Sequence, residues 1–177
     1  MNKNYTVSTS KLPKYLTKTE VDIILDKAKN DNRRNHLILL TLFRTGLRNS
    51  ELVNLKKQDI KDQQITVYDG KGKKDRAIPL DNELDHLLGL YSDNLKPTDN
   101  LFPLSTRAIR NIVKKYSDKK EVHPHTFRHS FAVYCLKAGV NVRALQKVLG
   151  HASLSNTQVY LDIVNEDVKT EFKKVVF

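Results

Sequence analysis

The chain has 177 residues, enough for one ordinary domain, and its composition of 39% hydrophobic and 29% charged residues is that of a globular protein. Its net charge of +11 favours a polyanionic partner, most simply nucleic acid, although a solvated basic surface would give the same charge. A single cysteine, Cys135, excludes an internal disulfide framework, and no long apolar run or apolar leader is present, so we expect a cytoplasmic protein without a membrane span.

The N-terminal part is predicted to be helical. Residues 1–12 are polar and are expected to form a flexible segment. Thr17-Lys-Thr-Glu20 has the pattern of a capping box, and the apolar residues after it recur at helical spacing, which predicts a first helix ending near Asn30. Asn32 is expected to cap a second helix that ends at Gly46, since glycine readily takes the left-handed conformation after a helix.

A change of period then predicts a small sheet. After a third helix, expected to start after Asn49 or Ser50, the segments Gln64-Ile-Thr-Val-Tyr68 and Arg76-Ala-Ile-Pro-Leu80 alternate at period two, as strands do. Between them, Asp69-Gly-Lys-Gly-Lys-Lys-Asp75 has the composition of a hairpin tip. The pattern therefore predicts an α+β fold that is mainly α, with a small antiparallel hairpin.

The next two helices combine apolar faces with a basic one. Asp81 is expected to cap a helix that buries three leucines, and Ser105 a helix with an isoleucine and valine face. The other side of the helix after Ser105 carries basic residues at i, i+3 and i+7, and the hairpin tip adds Lys73 and Lys74 beside Lys71. Clustered cations of this kind suit a phosphate backbone. The residues expected to contact DNA are Lys73, Lys74, Arg107, Arg110 and Lys114.

The stretch that follows concentrates side chains suited to phosphate chemistry. His125 and Arg128 lie at i and i+3, which places them on one face of a helix. Gly150 has the position of a C-terminal helix cap, which turns His151 out of the helical repeat. Arginine presents a rigid bidentate fork to a phosphate, and histidine can move a proton near neutral pH.

A tyrosine completes this constellation. Tyr160 is expected in a second short helix that Ser153 or Ser155 caps, so that its phenol converges on the same small volume. Tyrosine can act as a nucleophile when a neighbouring group takes its proton. The alternative for Tyr160 is a buried tyrosine whose hydroxyl simply has a hydrogen-bond partner.

Five stretches occur in an order typical of one enzyme family. They are Thr45-Gly-Leu-Arg48-Asn-Ser-Glu-Leu52, Gly70-Lys71-Gly72, His125-Thr-Phe-Arg128-His-Ser-Phe-Ala132, Leu149-Gly-His151 and Thr157-Gln-Val-Tyr160. Together they resemble the catalytic domain of tyrosine recombinases, which include phage integrases, Xer-type recombinases and archaeal relatives. The resemblance covers roughly residues 13–164 and implies the helical fold of that domain with its small antiparallel sheet.

The resemblance also implies an activity. The chain is expected to be a site-specific DNA recombinase or integrase that cleaves and rejoins double-stranded DNA through a 3′-phosphotyrosyl intermediate, without metal, cofactor or ATP. The catalytic residues that it implies are Arg48 and Arg128 as the two arginines, Lys71 as the hairpin lysine, His125 of the H-x-x-R pair, His151 as the last phosphate ligand and Tyr160 as the nucleophile. On chemical grounds, His125 is the candidate base or proton relay and Lys71 the candidate acid.

Several of these residues have simpler interpretations. Arg48 could form a structural ion pair with Glu51, three residues on. Lys71 could be a solvated turn lysine, since Lys73 and Lys74 are close competitors. Glycines and lysines at this tip also resemble a phosphate loop, but the Walker spacing and the following helix are absent.

The histidines near the start of the motif suggest a metal site only weakly. His123, His125 and His129 are close in sequence, with Cys135 nearby, but no CxxC or HExxH pattern supports a metal centre. We therefore expect no metal, and we interpret His129 as a residue that packs or supports its neighbours.

Two other functions share parts of the pattern. A type IB topoisomerase would use a similar site to relax supercoils, but the Gly-His151 turn, the short Lys71 hairpin and the small size favour a recombinase. A non-catalytic DNA-binding protein would explain the basic surface, but it would not need Tyr160, His125 and Arg128 together.

The domain organisation differs from that of the familiar family members. Residues 13–177 are expected to form the catalytic domain, and the usual N-terminal core-binding domain is expected to be absent, which leaves open an excised domain or a minimal recombinase. The resemblance implies a chain that is monomeric when free and a homo-oligomer on DNA, through exchange of its C-terminal tail. The apolar stripe of that tail consists of Val168, Phe172, Val175 and Val176, and the alternative is that it packs on its own domain.

Overall fold

The computed structural model describes residues 13–68 and 75–173, and they form a mainly helical fold with one small sheet. The helices described are α1 (Lys18–Asp31), α2 (Arg33–Thr45), α3 (Asn49–Asn54), α4 (Asn82–Ser92), α5 (Thr106–Tyr116), α6 (Pro124–Lys137), α7 (Val142–Leu149) and α8 (Ser155–Phe172). The strands are β1 (Ile60–Lys61), β2 (Gln64–Val67) and β3 (Arg76–Pro79). The predicted fold class, α+β and mainly α, is confirmed.

The helix ends follow from local hydrogen bonding. Thr17 and Glu20 form the predicted capping box of α1, and the Asn32 side chain accepts from the Asn35 amide at the start of α2. Gly46 ends α2 at a φ of 62°, and a Cβ there would collide with the Phe131 ring of α6. Glycine is therefore required at position 46 both by the left-handed conformation and by the close approach of α6.

The start of α3 differs slightly from the prediction. The helix begins at Asn49, one or two residues earlier than expected, because the Glu51 carboxylate accepts a hydrogen bond of 2.7 Å from the Arg48 amide. An acidic side chain in the first turn thereby satisfies an amide that has no partner inside the helix. This shift places Arg48 directly at the helix entrance.

The sheet consists of three antiparallel strands in the order β1-β2-β3. The pairing of β2 with β3 matches Ile65 with Ile78, so both side chains face the core, as the predicted period-two alternation requires. Strand β1, which the sequence did not reveal, adds two residues at the edge. The tip between β2 and β3, including Lys71, Lys73 and Lys74, lies outside the described residues.

The core lies on both sides of α6. The larger cluster joins α1 to α5 and the sheet around α2, whose leucines from position 37 to 42 are almost completely buried. A second cluster joins α6, α7 and α8. Its buried members are Ala132, Val133, Leu136, Leu145, Leu149, Tyr160 and Ile163. The second cluster therefore fixes the helix that carries Tyr160 against the helix that carries His125 and Arg128.

Helix α8 corrects one prediction. Tyr160 was expected in a short helix separate from the tail, but residues 155–172 form one continuous helix. No glycine or proline interrupts this range, so nothing in the sequence ends the helix near residue 165. The side chains of Val168 and Phe172, and the whole of Val175 and Val176, fall outside the described part, so the predicted stripe remains a prediction.

No helix in the described ranges is long and apolar enough to cross a lipid bilayer.

Candidate active site

One pocket gathers five of the six predicted catalytic residues. Arg48, His125, Arg128, His151 and Tyr160 line a cavity of about 450 Å³. They come from the α2–α3 junction, from α6, from the turn after α7, and from α8. The sixth, Lys71, lies outside the described residues. The cavity walls are completed by Pro13, His129, Ser155, Asn156 and Val159.

Arg128 is buried, with 3% of its surface exposed. Its guanidinium donates from Nη1 to the Gly46 carbonyl at 2.6 Å and from Nη2 to the Leu149 carbonyl at 2.5 Å. Burial and the neighbouring Arg48 lower the pKa of Arg128 to about 10, so the side chain stays cationic at neutral pH. Two hydrogen bonds at fixed positions hold the guanidinium plane towards the pocket.

Arg48 forms the predicted ion pair and also lines the pocket. Its Nη1 donates to Glu51 at 2.7 Å, which is the ion pair expected as the simpler interpretation, and its Nη2 donates to the Gly150 carbonyl at 3.1 Å. The same side chain also lines the pocket. The ion pair therefore orients Arg48 towards the site and does not remove it from the site.

A third arginine, Arg76, was missed by the sequence analysis. Its side chain is 7% exposed, and it donates from Nη2 to Glu51 at 2.7 Å and from Nε to the Val148 carbonyl at 2.8 Å. Burial alone would raise the pKa of Glu51, but hydrogen bonds from Arg76 and the Arg48 amide outweigh it and lower that pKa. The sequence does contain a sign that Arg76 is buried, because the alternation in β3 places Arg76 on the same face as the buried Ile78.

Three arginines thus bind three consecutive carbonyl groups at the end of α7. Arg76 donates to Val148, Arg128 to Leu149 and Arg48 to Gly150. Carbonyls in the last turn of a helix have no partner within it and carry the negative end of the helix dipole, so cations are favoured there. We refer to this arrangement as the arginine clamp: Arg48, Arg76 and Arg128 on the C-terminal end of α7.

The clamp predicts a large stability loss for Arg76→Ala. The substitution leaves the carboxylate of Glu51 without one of its buried partners, and we expect the free energy of unfolding to fall by about 3–5 kcal/mol. The matched control is Arg44→Ala, which removes ion pairs to Asp81 and Glu83 that lie at the surface and should change stability by about 1 kcal/mol or less. Urea titration followed by circular dichroism measures both. Equal losses in the two variants would show that Arg76 is not part of a buried network.

His151 follows the turn that the sequence predicted. Gly150 caps α7 in the left-handed conformation, with φ 63°, and a Cβ at this position would lie 3.1 Å from the Arg76 side chain. The Nδ1 of His151 and the Thr157 hydroxyl on α8 form a hydrogen bond of 2.9 Å. Burial, with the charges of Arg128 and Arg48, lowers the pKa of His151 to about 4, so its imidazole is neutral at neutral pH.

Tyr160 lies in the pocket wall with only 3% of its surface exposed. Its hydroxyl forms a hydrogen bond of 2.8 Å with Nδ1 of His129, and its ring lies 6.4 Å from the His151 ring, centre to centre. Burial raises the pKa of Tyr160, while Arg128 opposes the rise. A phenol in this environment is protonated at neutral pH, and it needs a base before it can attack.

The predicted proton acceptor, His125, lies at the rim of the same pocket. Its side chain is exposed, and its ring stacks on that of His129 with centres 6.2 Å apart. Burial of part of the ring and the charge of Arg128 lower the pKa of His125. In the described part of the chain, the hydrogen-bond partner of the Tyr160 hydroxyl is His129 and not His125.

The predicted basic face of α5 is exposed to solvent. Arg107, Arg110 and Lys114 lie on the outer side of the helix, while Ile109 and Val113 pack in the core. Charge from Arg110 also contributes to the lowered pKa of His125. The basic face of α5 is therefore close enough to act electrostatically on the rim of the pocket.

Residues 14–166 match the model of the "Phage integrase family". The tyrosine recombinase XerA of Pyrococcus horikoshii is 40% identical over 177 residues, which are 92% of this chain and 61% of that protein. A tyrosine recombinase of Pseudothermotoga lettingae is 38% identical over 169 residues, which are 89% of this chain and 59% of that protein. The chain thus spans about 60% of the length of these relatives.

Solved structures show the same fold. A crystal structure of XerA recombinase has a TM-score of 0.77 and 33% identity, covering 93% of this chain and 67% of that one. A XerH site-specific recombinase bound to palindromic difH substrate has a TM-score of 0.75 and 25% identity, covering 95% of this chain and 56% of that one. The catalytic domain of bacteriophage HP1 integrase, at 24% identity and a TM-score of 0.69, covers 92% of this chain and 95% of that one.

Proposed function

Since this chain belongs to the phage integrase family, we propose that residues 13–177 form the catalytic domain of a site-specific tyrosine recombinase. The substrate is double-stranded DNA, which is supported by the structural likeness to a XerH site-specific recombinase bound to a palindromic difH substrate. The reaction breaks one phosphodiester and forms a 3′-phosphotyrosyl bond to Tyr160, and a second DNA strand reverses it. The observation that carries the proposal is the convergence of two arginines, two histidines and a tyrosine on one pocket.

The two arginines bind the phosphate in this mechanism. Attack on phosphorus adds negative charge to the nonbridging oxygens, and fixed cations stabilise that charge best where it develops. Arg48 and Arg128 are held by carbonyls of Gly46, Leu149 and Gly150 before any substrate is present. Their orientation therefore needs little reorganisation when a phosphate enters, and His151 adds a neutral hydrogen-bond donor.

The proton transfers fall to residues near the two reacting oxygens. His125 is placed at the pocket rim, where it can hydrogen-bond the phosphate or relay the proton released by Tyr160. Lys71, by resemblance to the family, supplies the proton for the departing 5′ oxygen. Both bonds are phosphate esters, so the exchange conserves bond energy and requires no ATP.

A nicked duplex tests the proposal. Cleavage near the nick releases a short strand by diffusion, so the covalent protein–DNA adduct accumulates and is seen on a denaturing gel, in a reaction that contains EDTA. An adduct supports a strand-transferase, whereas complexes seen only on native gels support the non-catalytic alternative. Supercoil relaxation without exchange between two DNA molecules would favour the topoisomerase alternative.

We also propose that the basic set Lys73, Lys74, Arg107, Arg110 and Lys114 contacts the DNA backbone. The exposure of the three residues on α5, on the side away from the core, supports this. We expect the logarithm of the association constant to fall with the logarithm of salt concentration by about 0.9 per neutralised phosphate. Fluorescence anisotropy at several salt concentrations measures the slope, and Arg110→Ala should reduce it by about one phosphate. A slope that is unchanged in the variant would place Arg110 away from DNA.

For the assembly, we propose a free monomer that becomes a homo-oligomer on DNA through exchange of its C-terminal tail. Support comes from the continuity of α8, which carries Tyr160 and the start of the tail on one helix. Sedimentation of the chain with and without duplex tests this. Deleting residues 165–177 should abolish assembly on DNA, and assembly that persists would contradict tail exchange.

A further inference from the structure

The hydrogen bond between His129 and Tyr160 has no role in the mechanism above. It joins α6 to α8 at 2.8 Å, between a half-buried imidazole and a hydroxyl that is almost fully removed from solvent. The two rings lie 5.7 Å apart, centre to centre, so the contact combines packing with the hydrogen bond. The reacting atom of Tyr160 is thus already bound to a group that can carry a proton.

We propose that His129 is a catalytic residue, namely the base that takes the phenolic proton of Tyr160. This inference rests on the proposed function and specifies one step of it. This role requires the tautomer in which Nε2 of His129 carries the ring proton, so that Nδ1, 2.8 Å from the Tyr160 hydroxyl, accepts its hydrogen bond. The base is in place before DNA binds, and no rearrangement of the histidine is needed.

Position distinguishes His129 from His125. The two residues lie four positions apart on α6 and share one face, with their rings 6.2 Å apart. His125 is the outer residue of the pair and is exposed, whereas His129 is the inner one and is bonded to the nucleophile. His125 is thereby free to donate to the phosphate while His129 receives the proton.

The step balances in atoms and charge. The Tyr160 oxygen forms a bond to phosphorus as its proton moves to Nδ1 of His129, which becomes an imidazolium. The bond from phosphorus to the 5′ oxygen breaks, and that oxygen takes a proton from the general acid assigned above to Lys71. The phosphate is a diester with one negative charge both before and after the exchange, and religation runs the same transfers in reverse.

The surroundings make the base respond to DNA. His123 lies just before α6, at its N-terminal cap, and the charged and titratable side chains that share the pocket with His129 are Arg48, Arg128, His125, His151 and Tyr160. None of the described residues lining the pocket is a carboxylate. Burial, with the charges of His125, His123 and Arg128, lowers the pKa of His129 to about 4. An incoming phosphate brings negative charge among these cations and raises the basicity of the ring, so DNA binding makes proton transfer to His129 less costly.

The test is His129→Asn. An asparagine amide can place its oxygen near the position of Nδ1 and accept the hydrogen bond, but it cannot take the proton. We expect single-turnover cleavage of the nicked duplex at pH 7 to slow by about 10²-fold or more, the scale of losing a general base. The matched control is His86→Gln on the exposed side of α4, which should cleave like the parent. Thermal unfolding and anisotropy confirm that the variant folds and binds DNA.

Two readouts separate a base from a structural residue. In His129→Asn, attack depends on phenol ionised by solvent, so the rate should rise about tenfold per pH unit between pH 7 and 9, more steeply than in the parent. A 5′-bridging phosphorothiolate has a leaving group that needs no proton, so it should restore Lys71→Ala but leave the His129→Asn defect unchanged.

The results also separate this inference from the proposed function. If the parent forms adducts and Tyr160→Phe does not, the proposed function stands whatever His129→Asn does. In that case, two results overturn the role of His129 as base. One is a cleavage rate of His129→Asn within about threefold of the parent rate, and the other is a slower rate that depends on pH in the same way as the parent rate. If His129→Asn fails to fold, the same pH and phosphorothiolate comparisons on His129→Gln decide the question.

Discussion

Replacing Tyr160 with phenylalanine is expected to abolish covalent attachment to DNA while leaving the fold and DNA binding intact. The substitution removes one oxygen, which is the attacking atom in the proposed reaction, and the ring remains in the core cluster of α6, α7 and α8. Loss of the hydrogen bond to His129 should lower stability by about 1 kcal/mol. Cleavage should fall by roughly 10⁴-fold or more, as when the nucleophile of other covalent enzymes is removed.

The control for this variant is Tyr134→Phe. Tyr134 lies on α6 and is half-buried, and its substitution also removes one hydrogen bond, from its hydroxyl to the Leu16 carbonyl at 3.3 Å. Adduct formation on a nicked duplex, separated on a denaturing gel, should be normal in this control and absent in Tyr160→Phe. An adduct that persists in Tyr160→Phe would show that another residue is the nucleophile.

The second large effect is expected for Arg128→Ala, which should impair both catalysis and stability. Losing a charge contact to the transition state should slow cleavage by about 10²-fold or more. The substitution also leaves the carbonyls of Gly46 and Leu149 without the donor they share, at about 1–3 kcal/mol for each group that stays buried. Arg128→Lys should restore neither property fully, because one ammonium cannot reproduce two bonds in a rigid fork.

Measuring the two losses separately makes this prediction decisive. Urea titration gives the stability, and single-turnover cleavage is measured at a temperature where each variant is fully folded. Arg34→Ala, an exposed arginine in the first turn of α2, is the control and should change stability by less than about 0.5 kcal/mol. Near-normal cleavage in folded Arg128→Ala would show that Arg128 takes no part in catalysis. Normal stability of the variant would mean that the carbonyls of Gly46 and Leu149 find other partners.

Much of the fold follows from local rules in the sequence. The capping residues Thr17, Asn32, Asp81 and Ser105 all accept the expected backbone hydrogen bonds, because each needs only the amide three positions further on. Gly46 and Gly150 end their helices for an equally local reason. The five described motif residues line one pocket, as the sequence motifs predict.

What the sequence missed depends on contacts between distant segments. Arg76 pairs with Glu51 across 25 positions, and His129 meets Tyr160 across 31 positions, so no local pattern specifies either partner. The sequence predicts for His129 only a residue that packs or supports its neighbours, and it does not specify the Tyr160 hydroxyl as the partner. The length of α8 was not predicted because its local pattern indicates two separate amphipathic segments, whereas the structure has one continuous helix over Ser155–Phe172.

The unbroken α8 also has a mechanical consequence. Phe172 lies 12 positions beyond Tyr160, so a rigid arm of roughly 18 Å extends from the nucleophile to the end of the described helix. A lateral shift of about 5 Å at the far end would tilt that arm by roughly 16°, since a helix transmits rotation along its axis. The hydrogen bond between Tyr160 and His129 is only 2.8 Å long and has little tolerance for such a tilt. A contact that moves the end of α8 can therefore displace the attacking oxygen of Tyr160, even when that contact lies far outside the pocket.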